Sequence, residues 1–237
     1  QVSMAEAQEN QALGFTDVTD IKKWALVGKF FTKFPQSKLI NRLGKNMSYN
    51  IPKMSPDDLK PLFTSSDTLN TKISLWSGDI TRLSIDAIVN AAHRGLTGGG
   101  GIDGAIHTKA GDELMKACLK LNGCDFGEVK PTAGFDLPAK HIFHTVGPTS
   151  PLPGVLKRCY ENSLNLLVEM GLRTIAFPCI STGHYGYPIV DASKVALRTI
   201  REWLEANEDK VDRIIICVFT VRDEVVYEAL LPVYFPM

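Results

Sequence analysis

The amino-acid sequence predicts an α/β fold whose sheet is largely parallel and covered by helices on both faces. Short apolar, β-branched runs alternate along the chain with helical stretches, which is the pattern of strands buried on both sides. The 237 residues are 44% hydrophobic, enough for the core of one ordinary domain plus an extension. Ligands of such sheets bind beyond the carboxyl ends of the strands, so the loops at those ends carry the candidate site.

Charge and cysteine usage exclude several classes of protein. The 26 basic and 26 acidic residues cancel, so net charge does not favour nucleic acid or a membrane surface as the main partner. The five cysteines are scattered, odd in number and without C-x-x-C spacing, which disfavours a disulfide framework and a zinc site. No apolar run approaches the roughly 20 residues of a membrane span. We expect a protein of a reducing intracellular compartment, the cytoplasm or nucleus, with no membrane span and no bound metal.

Three regions are expected: a basic, partly flexible N-terminal extension over residues 1–50, a short helix and linker over 51–71, and the main domain over 72–237. Residues 1–20 are polar and aperiodic and are predicted to be a flexible lead. Residues 21–47 carry seven lysine or arginine residues and no acidic residue. They could be a solvated arm packing its aromatic side chains on the main domain, a mitochondrial presequence or a contact for an anionic surface.

The individual elements follow from capping and periodicity. Ser55 before Pro56 and two aspartates is a helix start, so a short helix is expected to run to about Phe63. Pro131 cannot donate to a central strand and marks its strand as an edge. The longer helices show apolar residues at helical spacing. The predicted strands are residues 73–76, 86–92, a run around Val129, 141–146, 174–178 and 213–219, and the predicted longer helices are 155–170 and 191–206.

Four consecutive glycines at residues 98–101 follow the second strand and precede Asp103 and a helical segment. Such a run is typical of a backbone that approaches a ligand closely with its N–H groups, and an anion at a helix N-terminus fits it. Residues 99–104 match G-x-G-x-x-G, but residues 91–97 separate them from the strand, which excludes a dinucleotide fold. No Lys-Ser or Lys-Thr follows, which excludes a P-loop. A phosphate-binding loop of another kind is predicted, with a merely structural turn as the alternative.

A second loop, residues 179–188, is also rich in glycine and hydroxyl groups and also follows a strand. The two loops could grip a diphosphate from opposite sides, although its Ser181 and Thr182 are also ordinary turn residues. Tyr185 and Phe219 could flank a sugar or stack on a base, or belong to the core. Asp79 could accept a hydrogen bond from the exocyclic amine of adenine, or be a turn or N-cap aspartate. His107 and His144 are expected to satisfy buried hydrogen bonds.

Six short motifs follow one another in the main domain. They are GDIT at 78–81, DAIVNAA at 86–92, GGGGIDGAIH at 98–107, HTVGP at 144–148, AFPCISTGHYGYP at 176–188 and DRIIICVF at 212–219. Together they resemble the macrodomains, specifically the MacroD-type mono-ADP-ribosyl hydrolases. The resemblance extends from about Lys72 to Pro236. It implies a three-layer α/β/α sandwich around a central mixed six-stranded sheet, with ADP-ribose as ligand and no cofactor.

Carried over by motif, the resemblance implies a role for each site residue. Asp79 and Ile80 would bind adenine, Phe219 would lie along the adenosine, and Asn90 would lie by the terminal ribose. The residues that would wrap the diphosphate are Gly98, Gly99, Gly100, Gly101, Ile102, Asp103 and Gly104 in the first loop and Ser181, Thr182, Gly183, His184 and Tyr185 in the second.

The resemblance also implies an activity, the release of mono-ADP-ribose from aspartate and glutamate side chains and the deacetylation of O-acetyl-ADP-ribose. Both substrates are esters on the terminal ribose. Asp103 would orient or activate the attacking water, although it could also cap the following helix. One carboxylate beside a diphosphate held by backbone N–H groups suffices for such a hydrolysis. The expected partners are ADP-ribose, O-acetyl-ADP-ribose and mono-ADP-ribosylated proteins, and we expect a monomer.

One position departs from the family pattern. The family has NAAN where this chain has NAAH, so His93 stands where an asparagine facing the ribose is expected. His93 could hold the ribose differently, act as a base itself, or partly block the site. The predicted catalytic set is therefore Asp103, His93 and Asn90. Two alternatives stay open: a reader that binds mono-ADP-ribosylated protein without turnover, and a nucleic-acid adaptor that uses residues 21–47.

Overall fold

Six strands form one mixed sheet in the computed structural model, which describes residues 16–22 and 52–237. They are β2 (Ile73–Ser77), β4 (Ala87–Ala91), β5 (Val129–Ala133), β6 (His141–Thr145), β7 (Thr174–Phe177) and β8 (Arg213–Val218). Their order across the sheet is β2-β8-β7-β4-β6-β5. All neighbours are parallel except β5, which runs antiparallel to β6 at the edge, where Pro131 was expected to place it. The short strands β1 (Thr16–Asp17) and β3 (Leu83–Ser84) pair separately.

Helices cover both faces of this sheet. They are α1 (Asp67–Asn70), α2 (Gly101–Ala110), α3 (Asp112–Lys120), α4 (Pro153–Glu169), α5 (Ile189–Asn207) and α6 (Val221–Tyr234), with 3₁₀ turns at Val18–Asp20, Pro56–Leu59, Ile80–Arg82 and Glu208–Lys210. On β8, Ile214 and Ile216 belong to a core cluster with the apolar side chains of α4, α5 and α6, whereas Ile215 between them belongs to a cluster with those of α2 and α3. Side chains alternate between the two faces of a strand, so the sheet contributes to two cores, which confirms the three-layer α/β/α sandwich.

The helix expected from Ser55 to about Phe63 is a single 3₁₀ turn, Pro56–Leu59. Its start is as predicted: Ser55 Oγ accepts from the Asp58 N–H, and Asp58 reaches back to the Ser55 N–H at 2.8 Å. Lys60 already has an extended backbone, with ψ of 133°. The residue before a proline avoids the helical region, and Pro61 follows, so the turn ends there.

Residues 16–22 pack against the main domain. Thr16 pairs with Leu83, the Ile21 side chain is buried in the core, and the Ile21 carbonyl accepts a 2.9 Å hydrogen bond from Arg213 Nη1. The flexible lead predicted for residues 1–20 is therefore wrong over residues 16–20. The rest of the extension, including the basic segment from residue 23 onward, lies outside the described residues. Among the residues that are described, no helix combines the length and apolarity needed to cross a membrane.

Candidate ligand-binding and active site

The carboxyl ends of β2, β4, β7 and β8 open into a cavity of about 790 Å³, a size typical of small-molecule and cofactor sites. Most of the predicted site residues line it. Three do not: Asn90, Gly98 and Gly104 lie behind its wall. The predicted residues that line the cavity are Asp79, Ile80, His93, Gly99, Gly100, Gly101, Ile102, Asp103, Ser181, Thr182, Gly183, His184, Tyr185 and Phe219.

Two sets of backbone N–H groups border this cavity without an acceptor. Within the part of the chain that the structure describes, the N–H groups of residues 99–103 and of residues 183–185 donate no hydrogen bond. Residues 99–103 include the first turn of α2, whose dipole adds positive potential. Gly98 and Gly101 have φ of 73° and 59°, a region that side chains disfavour, so glycine is favoured there. The arrangement can bind an anionic group from two sides.

The second loop holds its shape through Ser181. This residue is not glycine, yet its φ is 66°, and its carbonyl accepts a 2.9 Å hydrogen bond from the Tyr187 N–H. Its buried hydroxyl has no hydrogen-bond partner in residues 16–22 and 52–237. A left-handed backbone at a serine costs of order 1–3 kcal/mol, and such strain is concentrated at functional sites. Gly147 makes room for it, because a Cβ on Gly147 would lie 2.2 Å from Ser181 Oγ.

Asp103 contributes a nearly fully buried carboxylate to the cavity wall. Asn90 Nδ2 donates a 2.7 Å hydrogen bond to Asp103 Oδ1. A carboxylate only accepts, so this contact fixes which end of the Asn90 amide faces it. Asn90 is fully buried and contacts the carboxylate instead of the cavity, so it positions Asp103. The capping alternative for Asp103 is wrong, because the N-cap of α2 is Gly100 and Asp103 lies within the helix.

A buried histidine supports Asn90 from behind. His144 Nδ1 lies 3.1 Å from Asn90 Nδ2, and His144 Nε2 lies 3.0 Å from Thr132 Oγ1. Burial lowers the pKa of His144 to about 3, helped by the charge of His107. The ring is therefore neutral, with Nδ1 accepting from Asn90 and the Nε2–H donating to Thr132. The buried role predicted for His144 fits these contacts. His107 Nε2 is buried 3.6 Å from Asp103 Oδ1 and has no hydrogen-bond partner among the residues that the structure describes.

At the other end of the cavity, the two carboxylate oxygens of Asp79 differ in their contacts, so this residue can both cap a turn and bind a ligand. Its Oδ1 accepts hydrogen bonds from the Thr81 N–H at 3.0 Å and from Thr81 Oγ1 at 2.7 Å, as expected of a capping aspartate. Its Oδ2 makes no hydrogen bond within the described chain. Phe219 lies at the rim with 80% of its surface exposed, far more than a core phenylalanine. An aspartate oxygen and an exposed aromatic ring suit a flat base that carries an amine.

Comparison with known proteins agrees with this geometry. The model of the Macro domain family matches residues 89–196. The chain is 53% identical over 183 residues to the ADP-ribose glycohydrolase MACROD1 of Rattus norvegicus, covering 75% of this chain and 71% of that protein. It is 51% identical over 176 residues to the ADP-ribose glycohydrolase MACROD2 of Mus musculus, covering 72% of this chain but only 37% of that protein. The chain belongs to the macro domain family.

A solved macrodomain supports the same assignment. The Trypanosoma brucei macrodomain in complex with ADP-ribose superposes with a TM-score of 0.68 at 37% identity, covering 84% of this chain and 88% of that one. The family and the fold implied by the sequence motifs are thereby confirmed.

Several cavity residues of this macro domain were missed by sequence reasoning. Asp223, only 5% exposed, lines the cavity near Phe219, and Cys179 and Cys217 lie at the ends of β7 and β8. Burial raises the pKa of Cys217 to about 12 and that of Cys179 well above its ordinary value, which disfavours the thiolate form that a nucleophile needs. The local signal for the two cysteines is their position at the carboxyl ends of apolar strands. The other unpredicted lining residues are Gly78, Ala91, Ala92, Ala105, Gly147, Pro178 and Thr220.

Proposed function

We propose that this macro domain binds ADP-ribose in the cavity and hydrolyses ADP-ribosyl esters, releasing mono-ADP-ribose from aspartate and glutamate side chains and deacetylating O-acetyl-ADP-ribose. The observation that carries the proposal is the buried Asp103 carboxylate, held by Asn90, on the wall of a cavity bordered by two sets of unpaired N–H groups. The N–H groups would hold the diphosphate. The carboxylate would act on the ester of the adjoining ribose.

The chemistry follows from the two oxygens of Asp103. Oδ1 is occupied by Asn90, whereas Oδ2 faces the glycine loop, 3.2 Å from where a Cβ on Gly99 would lie. Oδ2 can accept a proton from a water that attacks the ester, and the bound diphosphate would fix the ribose in front of it. The N-terminus of α2 would stabilise the negative charge that develops. In this proposal Asp103 is the catalytic residue and Asn90 its positioning residue.

The adenine end of the ligand would lie at Asp79, Ile80 and Phe219. Asp79 Oδ2, which Thr81 leaves free, would accept from the exocyclic amine, a contact that distinguishes adenine from bases without a donor there. Phe219 would lie along the adenosine. The relatives named ADP-ribose glycohydrolases support hydrolysis over the reader alternative.

The deciding experiment uses a glutamate-linked mono-ADP-ribosylated protein and ADP-ribose itself. Wild type is expected to release ADP-ribose. Gly100→Glu is expected to lose both binding and release, because the new carboxylate would stand before the N–H groups. Gly100→Ala is the matched control: no atom of the described residues lies within 4 Å of a Cβ at Gly100, so both properties should persist.

Each other outcome has a distinct meaning. Binding without release by wild type would make the chain a reader of mono-ADP-ribosylated proteins. Binding by Gly100→Glu with wild-type affinity would place the ligand elsewhere. Calorimetry gives the affinity, and separation of the released nucleotide gives the rate.

A further inference from the structure

His93, the residue that departs from the family motif, uses both ring nitrogens within its own loop. The Gly95 N–H donates to His93 Nδ1 at 3.0 Å, so Nδ1 carries no proton. His93 Nε2 lies 2.9 Å from the Gly98 carbonyl oxygen, which only accepts, so Nε2 carries the proton. The contacts therefore require one neutral tautomer. Thr97 Oγ1 lies 3.2 Å from the same Nε2.

The His93 ring stabilises the loop of residues 93–98, whose backbone would otherwise be strained. Leu96 is fully buried with φ of 55°, and Gly98 has φ of 73°. In the part of the chain that the structure describes, the loop of residues 93–98 makes one internal backbone hydrogen bond, from the Leu96 N–H to the His93 carbonyl at 3.0 Å. Left-handed residues persist only where their surroundings hold them. The imidazole of His93 holds these residues in place, because its hydrogen bonds span the loop from Gly95 to Gly98.

The contact with Gly98 acts directly on the glycine loop. A trans peptide is planar, so its C=O and N–H groups point in opposite directions. The hydrogen bond from His93 to the Gly98 carbonyl therefore fixes the direction of the Gly99 N–H, one of the unpaired donors at the cavity. Gly99 also lies between His93 and the catalytic carboxylate: its Cβ position is 3.8 Å from His93 Cδ2 and 3.2 Å from Asp103 Oδ2.

We propose that His93 is a positioning residue which, as the neutral Nε2–H tautomer, holds the glycine loop in the form that binds the diphosphate. This inference rests on the proposed function. His93 is then neither a base nor a direct ribose ligand, because neither ring nitrogen is free. It replaces the family asparagine with a side chain whose support of the loop depends on its charge.

Protonation of His93 would disrupt this support. A second ring proton on Nδ1 would face the Gly95 N–H, and the hydrogen bond between them would become a repulsion of two donors. The charged groups around the ring are Asp103 across Gly99, His107 across Gly98, and Arg94, whose guanidinium is paired with Asp125 on the surface. A fall in pH that protonates the ring is therefore expected to weaken the binding of ADP-ribose.

The test is calorimetric titration of ADP-ribose from about pH 5.5 to about pH 7.5. Wild type is expected to bind about tenfold more weakly at the lower pH. His93→Asn keeps an acceptor near the Nδ1 position, and His93→Gln keeps a donor near the Nε2 position, but neither titrates. Both are expected to bind more weakly than wild type at the higher pH and to lose most of the pH dependence. The matched control is His141→Asn at the start of β6, which should keep the wild-type profile.

A second variant tests the same contact from the loop side. A Cβ on Gly95 would lie 2.9 Å from His93 Cε1, so Gly95→Ala should displace the ring and weaken binding at the higher pH. A wild-type affinity that does not change with pH, or a pH dependence that persists in both His93 variants, would overturn the inference. Failure of wild type to bind ADP-ribose at any pH would instead overturn the proposed function.

Discussion

Asp103 owes its orientation to a row of buried side chains that extends away from the cavity. Asn90 holds the carboxylate, His144 accepts from Asn90, and Thr132 accepts from His144. Each contact fixes the orientation of the next group, since a neutral imidazole with one acceptor and one donor nitrogen can join the row in only one tautomer. Asp103 Oδ2 is left for the substrate side.

Removal of the Asp103 charge should therefore separate hydrolysis from binding. Asp103→Asn keeps an oxygen that can accept from Asn90 Nδ2 but loses the basic carboxylate. We expect the rate of ADP-ribose release to fall about 100-fold or more, while ADP-ribose affinity changes little. Single-turnover release and calorimetry measure the two. Glu113→Gln, which removes an exposed carboxylate on α3, is the control. Equal turnover in wild type and Asp103→Asn would remove Asp103 from the mechanism.

For individual residues of the site, the sequence predicts the groups that face the ligand better than the buried groups behind them. Asp103 and both loops stand out because a glycine run and hydroxyl-rich turns are local signals. The role of Asn90 is not local: its partner His144 is 54 positions away in the chain, and the two meet only because β4 and β6 pair in register. Asn90 is accordingly predicted at the ribose but lies behind Asp103.

The first turn of α2 and the glycine loop before it are packed too closely for a side chain between them. A Cβ on Gly104 would lie 2.2 Å from the Gly99 carbonyl oxygen. Gly104 thus does not face the ligand, although the motif suggests that it does. It lets the helix pack against the loop, which brings the N–H groups of the loop and of the first turn to the same cavity.

Gly104→Ala should consequently damage both stability and binding. We expect a loss of about 1–3 kcal/mol in the free energy of unfolding, because the backbone must shift to admit the methyl group, and a weaker affinity for ADP-ribose. Urea unfolding and calorimetry check the two effects. Gly154→Ala lies in the first turn of α4, where the described part of the chain places no atom within 4 Å of the new Cβ, and it should lose neither stability nor affinity. An unaltered Gly104→Ala protein would show that the loop can move without consequence.

The elements themselves are predicted well where the signal is periodic and poorly where it is not. All six strands of the sheet and the helices α4 and α5 overlap their predicted positions. Helix α6 was not predicted, because it is buried on several sides, carries Pro232 and so lacks a single apolar stripe. Helix α3 does carry buried Leu114 and Cys118 at helical spacing, so the sequence contains a pattern that predicts this helix.

The stability of the whole molecule is coupled to pH through His144. Its pKa is lowered from 6.5 to about 3 in the folded state, so the unfolded chain takes up a proton first as the pH falls. The stabilisation from the neutral ring is complete above about pH 6.5 and is lost progressively towards about pH 3. The pKa values of Asp58, Asp86 and Asp212 are lowered from 3.8, so their contribution is lost only at more acidic pH.

Between about pH 7.5 and pH 5, wild type should therefore lose about 2 kcal/mol of unfolding free energy through this residue. His144→Asn, which keeps an acceptor for Asn90, should be less stable at pH 7.5 but should lose less on acidification. Urea titrations at both pH values give the two differences. If wild type and His144→Asn lose the same free energy, the pH dependence arises elsewhere in the molecule.

Residues 16–22 extend the domain at the end of the sheet opposite the cavity. Arg213 opens β8 and Ser74 lies near the start of β2, whereas the cavity follows the last residues of those strands. The Arg213 guanidinium is buried between the Ile21 carbonyl and Ser74 Oγ. No local pattern in residues 16–22 could predict this, because the partner lies 192 positions further along the chain.

Removal of residues 1–22 should lower the free energy of unfolding by about 3 kcal/mol, because Ile21 leaves the core and Arg213 loses a buried acceptor. ADP-ribose affinity should stay the same, since the segment lies at the far end of the sheet. A shorter truncation that removes residues 1–15 retains both contacts and serves as the matched control. Thermal and urea unfolding measure stability, and calorimetry measures affinity. If the two truncated proteins unfold alike, the docking of Ile21 on Arg213 does not stabilise the fold. If the longer truncation loses affinity, the two ends of the sheet are coupled.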